Sequence, residues 1–469
     1  MNNNILYHII AFGLGIFVFF TLAINPFWGL ATFLITTVYL AGINSKLFFS
    51  FFLQVVFFQN TFIGLTAGLY KTDIDFKVVH GVGFLATVLV FVIYLVEEKV
   101  NLRKLTFLNS SLGLFLLLLI YFIFGLSQYG LQNSAAYFRL FSVPITMFFC
   151  GLYFSKKLSK SFFDTSLKFI FLACAIVAFL QVLFPLKVGL LLNELAYYRL
   201  KNGIDSWSEL RQHYGSWPLF NISWFKINGL RVGSLIKSVI SLGYFICIFT
   251  LYFYYPRKKM TVFLLLIIVV LSVNSKGVIF FTFLAIIIFS LKRRFRLSFD
   301  AIISLYVFFV VLTIIVGFNY HNEHIIGLIS GSDYILSLGN GLGFSGNLSS
   351  VSLKSWNGDA LKDLGYWTRF QNGSESVFGV LFSSLGIFSI LYISYFIYIL
   401  HIARKRQYVF NYGTLLQILP FMLFIQGIFQ EEAFSPYAFG LVMFLLGLNM
   451  KNNKFYGEKK ETNKLIVHY

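Results

Sequence analysis

Long apolar runs, separated by short polar or basic connectors, recur from one end of this chain to the other. They predict candidate membrane helices at 5–22, 27–42, 47–66, 78–96, 110–127, 136–154, 166–185, 236–255, 260–274, 277–291, 299–317, 377–399, 413–429 and 435–449. That is fourteen spans, or twelve to fourteen once the shorter runs are weighed. Crossing a hydrocarbon core of about 30 Å takes about 20 helical residues, so helices in the shorter runs must extend into their flanks. The expected fold is an all-α polytopic membrane protein, a single integral membrane domain over residues 1–469 with no soluble-sized segment and no internal repeat. The first run, MNNNILYHII onward, lacks a basic leader and a small-residue cleavage site, and it reads as a retained span rather than a removed signal peptide.

The pattern stops in three places: 187–237, 318–375 and the tail 451–469. Glycines, serines, aromatics and paired charges fill the second of these, and their polar groups would be left unsatisfied in hydrocarbon. It is expected to be a large aqueous loop.

Composition and charge sharpen the topology. The chain is 58% hydrophobic and 12% charged, with a mean hydropathy of +0.79; a soluble enzyme carries about twice that charged fraction. The net charge of +19 would point to nucleic acid in a soluble chain, but here it gathers in connectors. Lys99 and Lys104, Lys156 to Lys160, Pro256 to Lys259, Lys292 to Arg296, Ala403 to Arg406 and the tail from Lys451 to Lys464 all fall on one face if the spans number fourteen. By the positive-inside tendency that face is cytoplasmic, and both long loops are extracytoplasmic. The remaining outer turns lie near Tyr70 to Lys77, Gly130 to Ala135, Asn274 to Lys276 and Gln430 to Ser435. Cys150, Cys174 and Cys247 lie in apolar runs without metal-like spacing and read as small buried hydrophobes.

Cations retained on the outer face call for a reason beyond topology. The first loop carries Arg199, Lys201, Arg211, Lys226, Arg231 and Lys237, among aromatics such as Tyr197, Tyr198 and Trp207 that suit an interfacial element. Anionic substrate or lipid headgroups would account for the charge; a loop merely anchored at the interface is the plainer reading. Arg231, in NGLRVGS, and Lys276, in SVNSKGVIF, sit at membrane entries where they can clamp a pyrophosphate or simply snorkel. Arg139, in AAYFRLFSVP, lies near the outer end of the sixth span and requires a polar cavity, an anion or a carboxylate partner. Pro144 is expected to kink that helix.

In the second loop, GNGLGFSG at Gly339 to Gly346 lacks the arrangement of a nucleotide-binding glycine loop and reads as a compact turn close to substrate. His321 and His324 lack a third ligand for zinc, and with His213 they are surface residues or candidate bases. Arg369 and Glu375 stand at the exit of the loop, where Glu375 serves as a base, a base-orienting group or a helix cap. Asp359 and Asp363 cannot be paired, and Glu431 with Glu432 reads as a solvated pair on an outer turn.

The layout, with NGLRVGS before a span, LSVNSKGVIFF across a tight outer hairpin, GNGLGFSG in the late loop and SESVFGVLFSSLGIFSILY entering the next span, resembles the bacterial O-antigen polymerase and O-antigen ligase superfamily over about Arg139 to Leu400. The resemblance implies polymerisation of undecaprenyl-pyrophosphate-linked repeat units by metal-independent glycosyl transfer at the outer face of the bacterial cytoplasmic membrane. Arg231, Lys276 and Arg139 would stabilise the pyrophosphate leaving group, Arg211 and Arg369 would hold the second substrate, and Glu375 would be the base or would orient it. Lys276 stands where the family commonly has a serine–arginine pair, Glu375 and Ser376 stand for the polar pair opening the later span, and the proline–asparagine after the first glycine motif is absent. The implied partners are lipid-linked glycans, membrane lipids, a flippase and a chain-length regulator, with no cofactor, metal or nucleic acid. A ligase with another acceptor and a glycan transporter are the alternatives.

Overall fold

A computed structural model describes residues 3–70, 73–98, 107–210, 232–254, 273, 275–295, 298–319, 323–346, 376–405 and 413–450. The described chain is helical throughout, starting with α1 (Asn3–Ile24), α2 (Pro26–Ile43) and α3 (Ser45–Leu65). Next come α4 (Asp73–Val79), α5 (Val82–Glu97), α6 (Phe107–Lys157), α7 (Lys160–Leu183), α8 (Pro185–Leu191), α9 (Glu194–Asn202) and α10 (Val239–Tyr254). The remainder is α11 (Lys276–Phe295), α12 (Phe299–Asn319), α13 (Glu323–Ser332), α14 (Val377–Leu385), α15 (Ser389–Lys405), α16 (Gly413–Gln426) and α17 (Phe439–Asn449).

Seven helical stretches among the described residues are long and apolar enough to cross a membrane, and five shorter apolar helices run with them. One of the seven, Asn109–Lys157, has 49 residues. At about 1.5 Å per residue it is roughly twice as long as one crossing requires. Its break is at Gly130 (φ 78, ψ 167), the one point in α6 with non-helical torsions. Pro144, where a kink was expected, lies further along the same helix within helical backbone, and the break at Gly130 was not anticipated. Glycine makes the turn because it alone adopts such a torsion without steric cost.

Side-chain caps make the first turns between spans short. Asn25 Oδ1 accepts from the amides of Phe27 and Trp28 at 3.0 and 3.2 Å, and Asn44 Oδ1 accepts from Lys46 and Leu47 at 3.1 Å each. Each asparagine satisfies orphan donors of the helix that follows it, so one helix ends and the next begins across a single residue.

The centre of the bundle is α3, buried along almost all its length. Its polar side chains act as fixed joints. Gln59 Oε1 accepts from the Gly83 amide at 2.9 Å, Asn60 Nδ2 donates to the Ile236 carbonyl at 2.7 Å, and Thr61 Oγ1 donates to Leu235 at 2.5 Å. These bonds tie the start of α5 and the turn before α10 to the same end of α3. In lipid, apolar burial does not drive helices together, so close packing and such bonds carry the association. α6 and α17 cross closely: a side chain at Gly151 would overlap the Phe444 carbonyl and one at Gly447 would overlap that of Phe148.

Gly339, Gly341, Gly343 and Gly346 all have positive φ. Asn340 and Gly341 donate their amides to the carbonyls of Ser383 and Ser384 at 3.1 and 3.0 Å, and Leu342 donates to Tyr121 at 3.1 Å. The glycine motif is thus a compact turn laid between α6 and α14. The three cysteines are buried and free.

Candidate functional site

A cavity of about 280 Å³ opens at the end of the bundle where α3 finishes and α5 and α10 begin. The far end of α6 carries the pairs Lys156–Glu98 and Lys157–Glu97 instead. Arg139 reaches the cavity from α6, nine residues beyond the Gly130 break, or about 13 Å along the helix. Lys201 comes from α9, His80 from the link between α4 and α5, and Glu431 and Glu432 from the helical turn Glu431–Phe434 before α17.

The cations are placed by their neighbours. Arg139 Nη1 donates to the His80 carbonyl at 3.3 Å and lies 3.5 Å from His80 Nδ1. Facing a guanidinium, Nδ1 must present its lone pair, so the proton belongs on Nε2, which lies 3.5 Å from the Tyr197 hydroxyl. Burial, reinforced by the charges of Arg139 and Lys201, drives the pKa of His80 down to about 3. It is a neutral positioning group across the physiological range. Lys201 keeps solvent in reach through the cavity, and its Nζ lies 5.8 Å from the Tyr197 ring centroid. Its pKa is lowered, by the surrounding protein first, while Glu432 pulls it up and Arg139 pushes it down.

The acidic pair is not the solvated turn expected from the sequence. Glu431 is buried and accepts from the Tyr137 hydroxyl at 2.8 Å, with Gly346 pressed against both groups. Glu432 Oε2 accepts from Ser241 Oγ at 2.8 Å, and Ser238 Oγ donates to Ser241 at 3.1 Å. Glu432 also interacts electrostatically with both Arg139 and Lys201. Among the described residues, therefore, two cations and two carboxylates line the cavity, Glu431 buried in its wall and Glu432 more open to it.

The flanks of both long loops meet here. Lys201 precedes, and Ser238 follows, residues 211–231 of the first loop, and both line the cavity. On the second loop, Gly346 rests on Glu431, and Val377 donates its amide to the Gly427 carbonyl at 2.8 Å, just before Gln430 of the cavity wall. The interfacial aromatics differ from expectation: Tyr197 and Tyr198 are buried, because α9 packs inward on α3. Lys237 is buried too. Its Nζ donates to the Leu192 carbonyl at 2.6 Å and sits 4.9 Å from the Tyr197 ring centroid. Burial lowers its pKa to about 8, with Glu194 acting against that shift, and the same burial raises that of Glu194.

Of the six residues singled out from the sequence, Arg139 lines the cavity. Arg211, Arg231, Arg369 and Glu375 lie outside the described residues, as does the side chain of Lys276 at the start of α11. Ser376, beside Glu375, is the N-cap of α14 and accepts from the Gly379 amide at 3.2 Å. Sequence reasoning missed His80, Glu432 and the siting of Lys201. The available signal was two adjacent carboxylates between apolar runs, since such residues demand a cavity or a cation. Among the described residues no cluster of three or more His, Cys, Asp or Glu is placed to hold a metal. Comparison with family models, with curated proteins and with solved structures finds no match.

Proposed function

We propose that this protein polymerises lipid-pyrophosphate-linked oligosaccharide repeat units by glycosyl transfer at the outer face of the cytoplasmic membrane. The observation that carries the reading is the cavity in which Arg139 and Lys201 meet at the convergence of both long loops. Its lining combines a fork-shaped and a point cation with hydrogen-bonding serine and amide groups, a set suited to phosphate oxygens and sugar hydroxyls. Its position at one end of the bundle suits a substrate whose lipid remains in the bilayer while its glycan stays in water. A transporter would be expected to centre its polar groups at the midplane.

In this reading the fourteen-span topology places the cavity outside, opposite the basic connectors. The donor diphosphate binds Arg139 and Lys201, which offset the charge that grows on it as the glycosidic bond breaks. Arg231 and Lys276 add to this charge, Arg211 and Arg369 hold the second lipid-linked unit, and Glu375 orients the reacting hydroxyl. The test is reconstitution in liposomes with a homogeneous lipid-diphosphate-linked repeat unit, followed by mass analysis of the lipid-linked products. Addition of whole repeats with equal release of lipid diphosphate is expected. Passage of intact substrate across the bilayer without a covalent product would overturn the proposal in favour of transport.

A further inference from the structure

The cavity contains a carboxylate whose setting differs from that of its neighbour. Glu431 is buried, and its Oε1 accepts from the Tyr137 hydroxyl with Gly346 pressed against it, so it presents less of its carboxylate to the cavity. Glu432 is only half-buried, lines the cavity, and has Oε2 fixed by the Ser238–Ser241 pair. Two hydroxyls in series, each donating toward the carboxylate, hold it in one orientation; a general base requires such an orienting partner.

The other titratable groups on the cavity serve less well. Arg139 and Lys201 are the anion-binding cations. His80 has one nitrogen against Arg139 and the other against the Tyr197 hydroxyl. Tyr437, also in the wall, directs its hydroxyl to the Val56 carbonyl at 3.5 Å, and Tyr244, behind the wall on α10, donates to Gln430 Oε1 at 2.9 Å. Charge balance points the same way. Among the described residues two cations face two carboxylates across the cavity, and a bound diphosphate adds further negative charge. Moving the proton of the acceptor onto a carboxylate removes one negative charge as another develops on the leaving oxygen.

Resting on the polymerase reading, we propose that Glu432 is the catalytic base that takes the proton from the acceptor sugar hydroxyl. The hydroxyl oxygen bonds to the anomeric carbon of the donor glycan. The bond from that carbon to the diphosphate oxygen breaks, and its electron pair leaves with the diphosphate beside Arg139 and Lys201. The hydroxyl proton passes to Glu432 and then to solvent. Ser241 is a positioning residue.

The test uses the full chain in liposomes with the homogeneous lipid-diphosphate-linked repeat unit as substrate, and reads kcat and KM across pH. Wild type must first extend the substrate; if it forms no polymer, the polymerase reading fails and this inference fails with it. Given an active wild type, E432Q is expected to lose about 10²–10⁴-fold in kcat, with KM held within about threefold and the acidic limb of the kcat profile abolished. E432D should recover part of the loss, and S241A should lower kcat about tenfold at unchanged KM through a mispositioned base. Should E432Q fail to match wild type in thermal midpoint, E432D and S241A decide by the same split. Wild-type kcat with the acidic limb retained in E432Q, or in both E432D and S241A, would overturn the assignment while leaving the polymerase reading in place.

Discussion

Gly346→Ala tests whether the glycine turn shapes the cavity wall or merely closes a loop. Gly346 has φ +103, and a side chain there would overlap both the Tyr137 hydroxyl and the carboxylate of Glu431. Gly130 has φ +78 with open space where its side chain would stand. Both substitutions put an L-residue into positive-φ backbone that favours glycine, a cost of about 1–3 kcal/mol. Only Gly346→Ala must also separate Tyr137 from Glu431, a buried hydrogen bond of 2.8 Å to a carboxylate, which adds about 1.5–3 kcal/mol. The expected losses are therefore about 2.5–6 kcal/mol for Gly346→Ala against about 1–3 kcal/mol for Gly130→Ala, the difference being the broken hydrogen bond. Thermal unfolding of each variant in nanodiscs gives the order, and turnover on the lipid-linked substrate should fall further for Gly346→Ala because Glu431 lines the cavity. Equal midpoints and equal turnover for the two variants would refute the reasoning.

Three other outcomes follow from the same geometry. Arg139→Ala should lower kcat/KM by about 10²-fold or more, and Arg139→Lys should restore part of it by keeping the charge without the fork; unchanged turnover at equal protein abundance would remove Arg139 from the leaving-group site. His80 has a folded pKa of about 3 against an ordinary 6.5, so the unfolded chain takes up the proton first. Its stabilising contribution is full above the ordinary value and declines as pH falls through it, by about 2 kcal/mol at about pH 5. Thermal midpoints of wild type should accordingly drop more between about pH 7.5 and about pH 5 than those of His80→Asn, and parallel lines would contradict this. Gly151→Leu should prevent close approach of α6 and α17, since any side chain there meets the Phe444 carbonyl; a wild-type midpoint in that variant would show that the crossing is not needed.

The helices were legible because local chemistry decides them. An apolar run must become a helix in hydrocarbon, whereas its ends waited for the structure, which shows Asn25 and Asn44 capping the helices that follow them. Arg139 was legible as a residue requiring a polar neighbourhood, since an arginine at that depth is costly alone. Its neighbours were not legible. His80, Lys201 and Glu432 are separated along the chain by helices whose packing no local pattern encodes, and Glu432 looks solvated until α10 is brought against it.

By itself, then, the sequence determined an all-α membrane chain with two long polar interruptions, because the cost of bare backbone and charge in lipid is set residue by residue. Tertiary structure alone decided that α3 is the central helix, that α6 breaks at Gly130, and that the loop flanks share one cavity. Those outcomes depend on which glycines permit close approach and which buried amides find distant carbonyls, relations between residues far apart in the chain.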